Sequence, residues 1–302
     1  MPDTPSTRPG SSYPVGAIAR GVLTPLLFAA VSIVMLWGTW RIFVDWPTGQ
    51  LIDDAAWQGS QFGRRHLDGF VEPVVRVISE PFLVLAAVAA FIVAASQRRW
   101  SIAIAATVML GGANLSTQLL KEQVLDRPDF GLTEQPVNSL PSGHTTAAAT
   151  VAATALLIAP ARWRGPVALV GAAYAGATGV GTLVLGWHRP SDIVAAYAVA
   201  AAWYFAIEAA RGLRLRALPR GYGEAPDGNA SVWLWFGAGA GVLIGVVGGV
   251  LTFIQLPGID FGGQVLAYLT AAAGVAGVAA LSTAAMLGMR PHHRVDRAPT
   301  RN

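Results

Sequence analysis

Residues 231–254 read Ser-Val-Trp-Leu-Trp-Phe-Gly-Ala-Gly-Ala-Gly-Val-Leu-Ile-Gly-Val-Val-Gly-Gly-Val-Leu-Thr-Phe-Ile, without one ionisable side chain. As a helix this stretch is about 36 Å long at 1.5 Å per residue, enough to cross the ~30 Å hydrocarbon core of a bilayer. Working outward from it, further apolar runs lie at about 17–44, 72–97, 100–123, 143–160, 166–187, 188–210 and 264–288. Each is near the ~20 residues that a membrane crossing requires. Eight such runs predict an all-α polytopic membrane bundle. The run from about Val15 to Val44 is too long for a signal-peptide core and lacks a small-residue cleavage site, so it is expected to stay as a membrane anchor.

Composition agrees with that class. Of 302 residues, 53% are hydrophobic and only 13% charged, against roughly 25% charged in soluble chains. Mean hydropathy is +0.49. Cysteine is absent, which excludes disulfide scaffolds, cysteine-ligated metals and thiol nucleophiles. The net charge of +4 is explained by topology rather than by nucleic acid. With the N-terminus in the cytoplasm, 14 Lys/Arg fall inside (residues 8, 20, 98, 99, 162, 164, 211, 214, 216, 220, 290, 294, 297 and 301) and 7 outside (residues 41, 64, 65, 76, 121, 127 and 189). This is the positive-inside bias. No basic domain with interleaved aromatics exists to bind nucleic acid, so membrane lipids are the expected partners.

The expected organisation is a polar tail (1–15), a six-span core (16–210), a basic linker (211–230), a two-span hairpin (231–290) and a basic tail (291–302). Both termini are cytoplasmic in this reading. The outside segment 45–71 is long enough for an interfacial helix, with Phe62, Leu67, Phe70 and Val71 against Arg64, Arg65, His66 and Asp68. On the hairpin, Gly237, Gly241, Gly245 and Gly249 form a ridge of small residues. Such a ridge permits close packing against the last span or, as its second use, a homodimer.

Polar residues beside membrane spans are costly and mark functional sites. Three clusters fall on the same outer face: Lys121-Glu-Gln-Val-Leu-Asp-Arg127-Pro128, Pro141-Ser142-Gly143-His144 and Gly186-Trp-His188-Arg189-Pro-Ser-Asp192. Lys121 and Arg127 are cations suited to an anionic group, and Arg can grip phosphate bidentately. Ser142 is a good N-cap, Gly143 allows close approach, and a helix N-terminus favours anions. His188 and Asp192, four apart, share a helical face, where a carboxylate fixes the imidazole tautomer. One oriented His, a second His144 and several phosphate donors suit phosphoryl transfer.

These clusters resemble the three signatures of the type 2 phosphatidic acid phosphatase (lipid phosphate phosphatase) superfamily, which is related to vanadium haloperoxidases. The resemblance covers about residues 70–210. It implies a six-helix core, metal-independent hydrolysis without cofactors, and a site on the outer face of the cell membrane. By position it implies His188 as nucleophile, Asp192 as its orienting partner and His144 as general acid. Lys121, Arg127, Ser142 and Gly143 would cradle phosphate. The implied substrate is a lipid phosphate or diphosphate, of the phosphatidic acid, phosphatidylglycerol phosphate or polyprenyl diphosphate class.

Two positions depart from the pattern. Lys121 and Arg127 are separated by five residues where the family has six, about 100° of helix unless a loop absorbs it. The Ser-Arg pair of the third signature falls on Gly181 and Thr182. Losing that Arg removes a charge-assisted donor, about 1.5–3 kcal/mol. Thr182 is an auxiliary candidate, as is Arg189. Arg64, Arg65 and Arg189 lie on the side where a substitute cation is needed. A lipid-linked phosphotransferase and a catalytically weak lipid-phosphate-binding relative remain open at this stage.

Overall fold

The computed structural model describes residues 19–78, 80–133, 137–214 and 229–289. The expected tails (1–15 and 291–302) and most of the 211–230 linker lie outside the described residues. Among the described residues nine α-helices follow in order: α1 (Thr24–Phe43), α2 (Pro47–Arg76), α3 (Glu80–Ser96), α4 (Trp100–Leu119), α5 (Gly143–Ile158), α6 (Arg164–Val184), α7 (Pro190–Arg214), α8 (Ala230–Gln255) and α9 (Phe261–Gly288). No strand occurs among the described residues. Among the described residues six helical segments are long and apolar enough to cross a membrane: Gly21–Phe43, Trp100–Val124, Ala161–Val184, Pro190–Leu213, Ala230–Gly258 and Phe261–Gly288.

The other two expected spans take a different form. The 72–97 run is divided: α2 continues through it to Arg76, and the chain bends by 52° into α3. The 143–160 run becomes α5, only 16 residues long, or about 24 Å.

Helix α7 is the axis of the bundle. Ile193, Tyr197, Tyr204 and Phe205 are buried along it, and α1, α5, α6 and α9 pack around it. Tyr197 donates to the Ala175 carbonyl of α6 at 2.9 Å, fitting over Gly179. Large apolar side chains face outward on α1 (Leu27, Val31, Val34), α3 (Val84, Leu85) and α8 (Trp233, Phe236, Leu243). An apolar surface of that extent is stable only against lipid or a partner.

Helix α2 buries the face that its amphipathic pattern left unmarked. Gly49, Asp53, Ala56, Ser60 and Gly63, spaced alternately by four and three, are buried. Phe62 and Leu67 are 43% exposed and Phe70 is 80% exposed. The small side chains let neighbouring helices approach, while the bulky apolar ones are turned outward, as a bilayer environment permits.

The final hairpin uses its glycines within the chain. A Cβ at Gly241 would meet the Ala273 oxygen and Gly277 Cα at 2.6 Å, and one at Gly245 would meet Gly274 Cα at 2.7 Å. The third close approach is Gly248 against Thr270, whereas nothing lies within 4 Å of a Cβ at Gly249, and only Ala280 does at Gly237. Helix α9 also packs on α2: a Cβ at Gly59 would overlap the Gln264 carbonyl, and Gly63 lies under the Tyr268 ring. The Gln264 amide donates to Gln58 at 2.6 Å.

Candidate active site

The three polar clusters gather at one end of the bundle. The α4 terminus, the α5 start and the α6–α7 junction meet there. At the opposite end, Arg99 donates to the Ile158 carbonyl and joins the α3–α4 and α5–α6 turns.

Asp192 is the hub. It is fully buried in the first turn of α7. Its Oδ2 accepts from His188 Nδ1 at 3.2 Å, from Ser139 Oγ at 2.6 Å and from the Arg189 backbone N–H at 2.9 Å. Its backbone carbonyl accepts from the Ser142 N–H at 2.9 Å, which ties the α5 cap to the α7 start. A proton on His188 Nδ1, held by the carboxylate, leaves Nε2 with its lone pair free. His188 is 8% exposed.

Helix α5 begins at this point because Ser142 caps it. Ser142 Oγ accepts from Thr145 N at 3.4 Å and donates to Thr145 Oγ1 at 3.0 Å. That hydroxyl is therefore engaged in the cap. The Gly143 and His144 amides form the positive end of the helix, and a Cβ at Gly143 would meet only Gln118, at 3.9 Å. His144 lies within electrostatic reach of His188, Lys121 and Arg76, and its ring sits 5.3 Å from that of Trp187.

Lys121 lies in a π turn, Leu120–Val124, that ends the fourth helix. Arg127 follows in an irregular segment held by Trp40, which donates to the Asp126 carbonyl at 2.8 Å, and by Gln50, which donates to the Pro128 carbonyl at 2.9 Å. Asn138 donates to the Lys121 and Leu125 carbonyls. The one-residue departure in the first signature thus falls outside regular helix, where it imposes no 100° rotation. Arg127 Nε and Nη2 are buried without a partner among the described residues. Burial, followed by the Arg189 charge, lowers its guanidinium below the ordinary arginine value. It remains a cation, and an anion beside it would relieve that strain.

Thr182 is fully buried, but its hydroxyl donates back to the Gly179 carbonyl at 2.8 Å. Arg189 is buried too, with Nη2 3.4 Å from Asp54 Oδ1 and its guanidinium 5.7 Å over the Trp57 ring. Arg65 is exposed.

Helix α2 brings in residues that sequence reasoning missed. Asp53 accepts from the Ser191 N–H at 3.0 Å and from its hydroxyl at 2.5 Å. Trp57 donates to the Gly186 carbonyl at 2.8 Å. Arg76 lies 5.4 Å over Trp187. Polar residues recurring at three- and four-residue steps among glycines were the available signal. Among the described residues no cluster of three or more His, Cys, Asp or Glu is arranged to hold a metal ion.

Residues 102–214, from the start of α4 to the end of α7, match the family model described as the PAP2 superfamily. Over this stretch, just over a third of its length, the chain is similar to the PAP2 superfamily. All three polar clusters fall inside that PAP2 stretch, while α1, α2, α3, α8 and α9 lie outside it. No curated protein and no solved structure matches the chain. PAP2 superfamily members are phosphatases. With its six apolar segments of spanning length among the described residues, the chain is a multi-pass membrane protein that is similar to that superfamily over residues 102–214.

Proposed function

We propose that this protein hydrolyses a lipid phosphate or diphosphate at the extracytoplasmic face through a phosphohistidine. The observation that carries the reading is the buried His188–Asp192 pair, which faces the capped start of α5 with cations around it. His188 Nε2 attacks phosphorus. The P–N bond forms as the P–O bond to the lipid breaks, and His144 gives its proton to the leaving oxygen. Water then attacks phosphorus, yields its proton to His144 and releases phosphate from His188. Lys121, Arg127 and the first amides of α5 take up charge on the phosphoryl oxygens. The apolar outer surface supports a lipid substrate, because its tail can remain in the bilayer. The two-to-one excess of inside Lys/Arg supports the outward-facing site.

The test is phosphate release by the detergent-purified protein from phosphatidic acid, phosphatidylglycerol phosphate and a polyprenyl diphosphate, with chelator present. Release that persists with chelator and is lost in His188→Ala is the expected result. Equal release by the His188→Ala protein, or none from any lipid, overturns the reading.

A further inference from the structure

Arg64 projects from the middle of α2, outside the matched domain, onto the loop that carries His188. Its guanidinium occupies the space where Gly186 would bear a side chain: a Cβ there would overlap Nη2. Gly186 has a φ of +66° and no Cβ, so the guanidinium lies directly on its backbone. Two residues of chain span at most about 7 Å, so this cation rests on the loop close to the backbone of His188. Arg64 Nε is buried without a partner, and no carboxylate pairs with this guanidinium among the described residues.

The neighbouring arginines are differently placed. Arg189 is engaged by Asp54, Arg76 is bound to Glu72, and Arg65 faces out. A half-buried, unpaired guanidinium is unfavourable unless an anion completes it. Its position is also fixed. Trp57, two turns earlier on α2, is bonded to the same Gly186, and adjacent Gly63 is packed under Tyr268 of α9.

We propose that Arg64 is a phosphate-gripping catalytic residue of this site, supplied by α2. The inference rests on the phosphatase reading for its substrate and on geometry for its ligand class, a tetrahedral oxyanion. Two measurements test it on the full-length protein in detergent: lipid phosphate release, and the rise in thermal midpoint caused by inorganic phosphate. Arg64→Ala and the longer Arg64→Gln are compared with Arg65→Ala. Arg64→Gln keeps the stem that packs on Gly186 and guards against a folding defect. The expected result is a fall in kcat/KM on the order of 100-fold and loss of the phosphate-dependent shift in both Arg64 variants. Added guanidinium should partly restore release by Arg64→Ala, and Arg65→Ala should behave as the parent protein.

Parent-like release and phosphate shift in Arg64→Gln would overturn the proposal while leaving the phosphatase reading intact. An Arg64-dependent phosphate shift in a protein that releases nothing from any lipid would sink that reading and keep the proposal. Neither release nor shift in the parent protein overturns both.

Discussion

Three donors converge on one oxygen of Asp192, and only one of them is the imidazole. Ser139 and the Arg189 amide hold the carboxylate in place before it holds His188. The carboxylate has two tasks, fixing the Nδ1–H tautomer and stabilising positive charge on the ring, and both need its ionised form. Asp192→Asn keeps the shape and loses the charge, so kcat should drop on the order of 10³- to 10⁴-fold. Ser139→Ala removes one neutral donor, about 1 kcal/mol, and should lower kcat by roughly tenfold or less. Steady-state phosphate release by the two variants checks this ordering. A larger loss in Ser139→Ala than in Asp192→Asn would show that the carboxylate's placement matters more than its charge.

At the scale of the element, α2 separates what the sequence made readable from what it hid. Pro-Ser-Gly-His was legible because capping is local: Ser142, the following glycine and an apolar run announce a helix start wherever they occur. His188 and Asp192 were legible as a pair four apart, but the expected shared helical face is not what joins them: His188 lies in the loop before α7 and reaches back to Asp192 in the first turn. Asp53 was not legible, and Arg64 was legible only as one of three outer-side arginines, since each meets residues more than a hundred positions away and their neighbours fit a surface helix equally well. Bulky apolar side chains ordinarily mark the buried face, and in α2 they mark the outward one.

Asp53 gives this helix a pH dependence. Burial, followed by the Asp192 charge, raises its carboxyl from 3.8 to about 7. A carboxyl raised on folding contributes stability that is complete below the unfolded value and is lost as pH climbs through about 7. The thermal midpoint in detergent should therefore fall between pH 5 and pH 8. Asp53→Asn, which cannot ionise, should flatten that part of the curve. An unchanged slope in the variant would assign the dependence to other groups.

Across the whole molecule, the matched domain does not contain everything that shapes its site. Helix α2 lies against the α6–α7 junction on one side and against α9 on another. The spans were legible as runs of composition, but their partners were not, because glycine-lined faces carry no label saying which helix they meet. The Gly59 contact illustrates this. Its neighbour is the backbone of Gln264, which cannot rotate away. Gly59→Leu should cost at least about 1–3 kcal/mol by overpacking, lower the thermal midpoint, and weaken phosphate release through Arg64 while leaving His188 and Asp192 in place. Gly69→Leu, where nothing lies within 4 Å of a Cβ, is the control that should do neither.

The α2–α9 contact also bears on biogenesis. Synthesis runs from the N-terminus, so α2 is made about two hundred residues before α9. Until residues 261–288 have emerged and inserted, the Gly59–Gly63 face of α2 has nothing to close against. A nascent chain halted at residue 214 would already hold His144, His188 and Asp192. It would still lack α9, whose Tyr268 packs against Gly63 beside Arg64, so on the Arg64 proposal the site would reach its working form only when α9 is in the membrane.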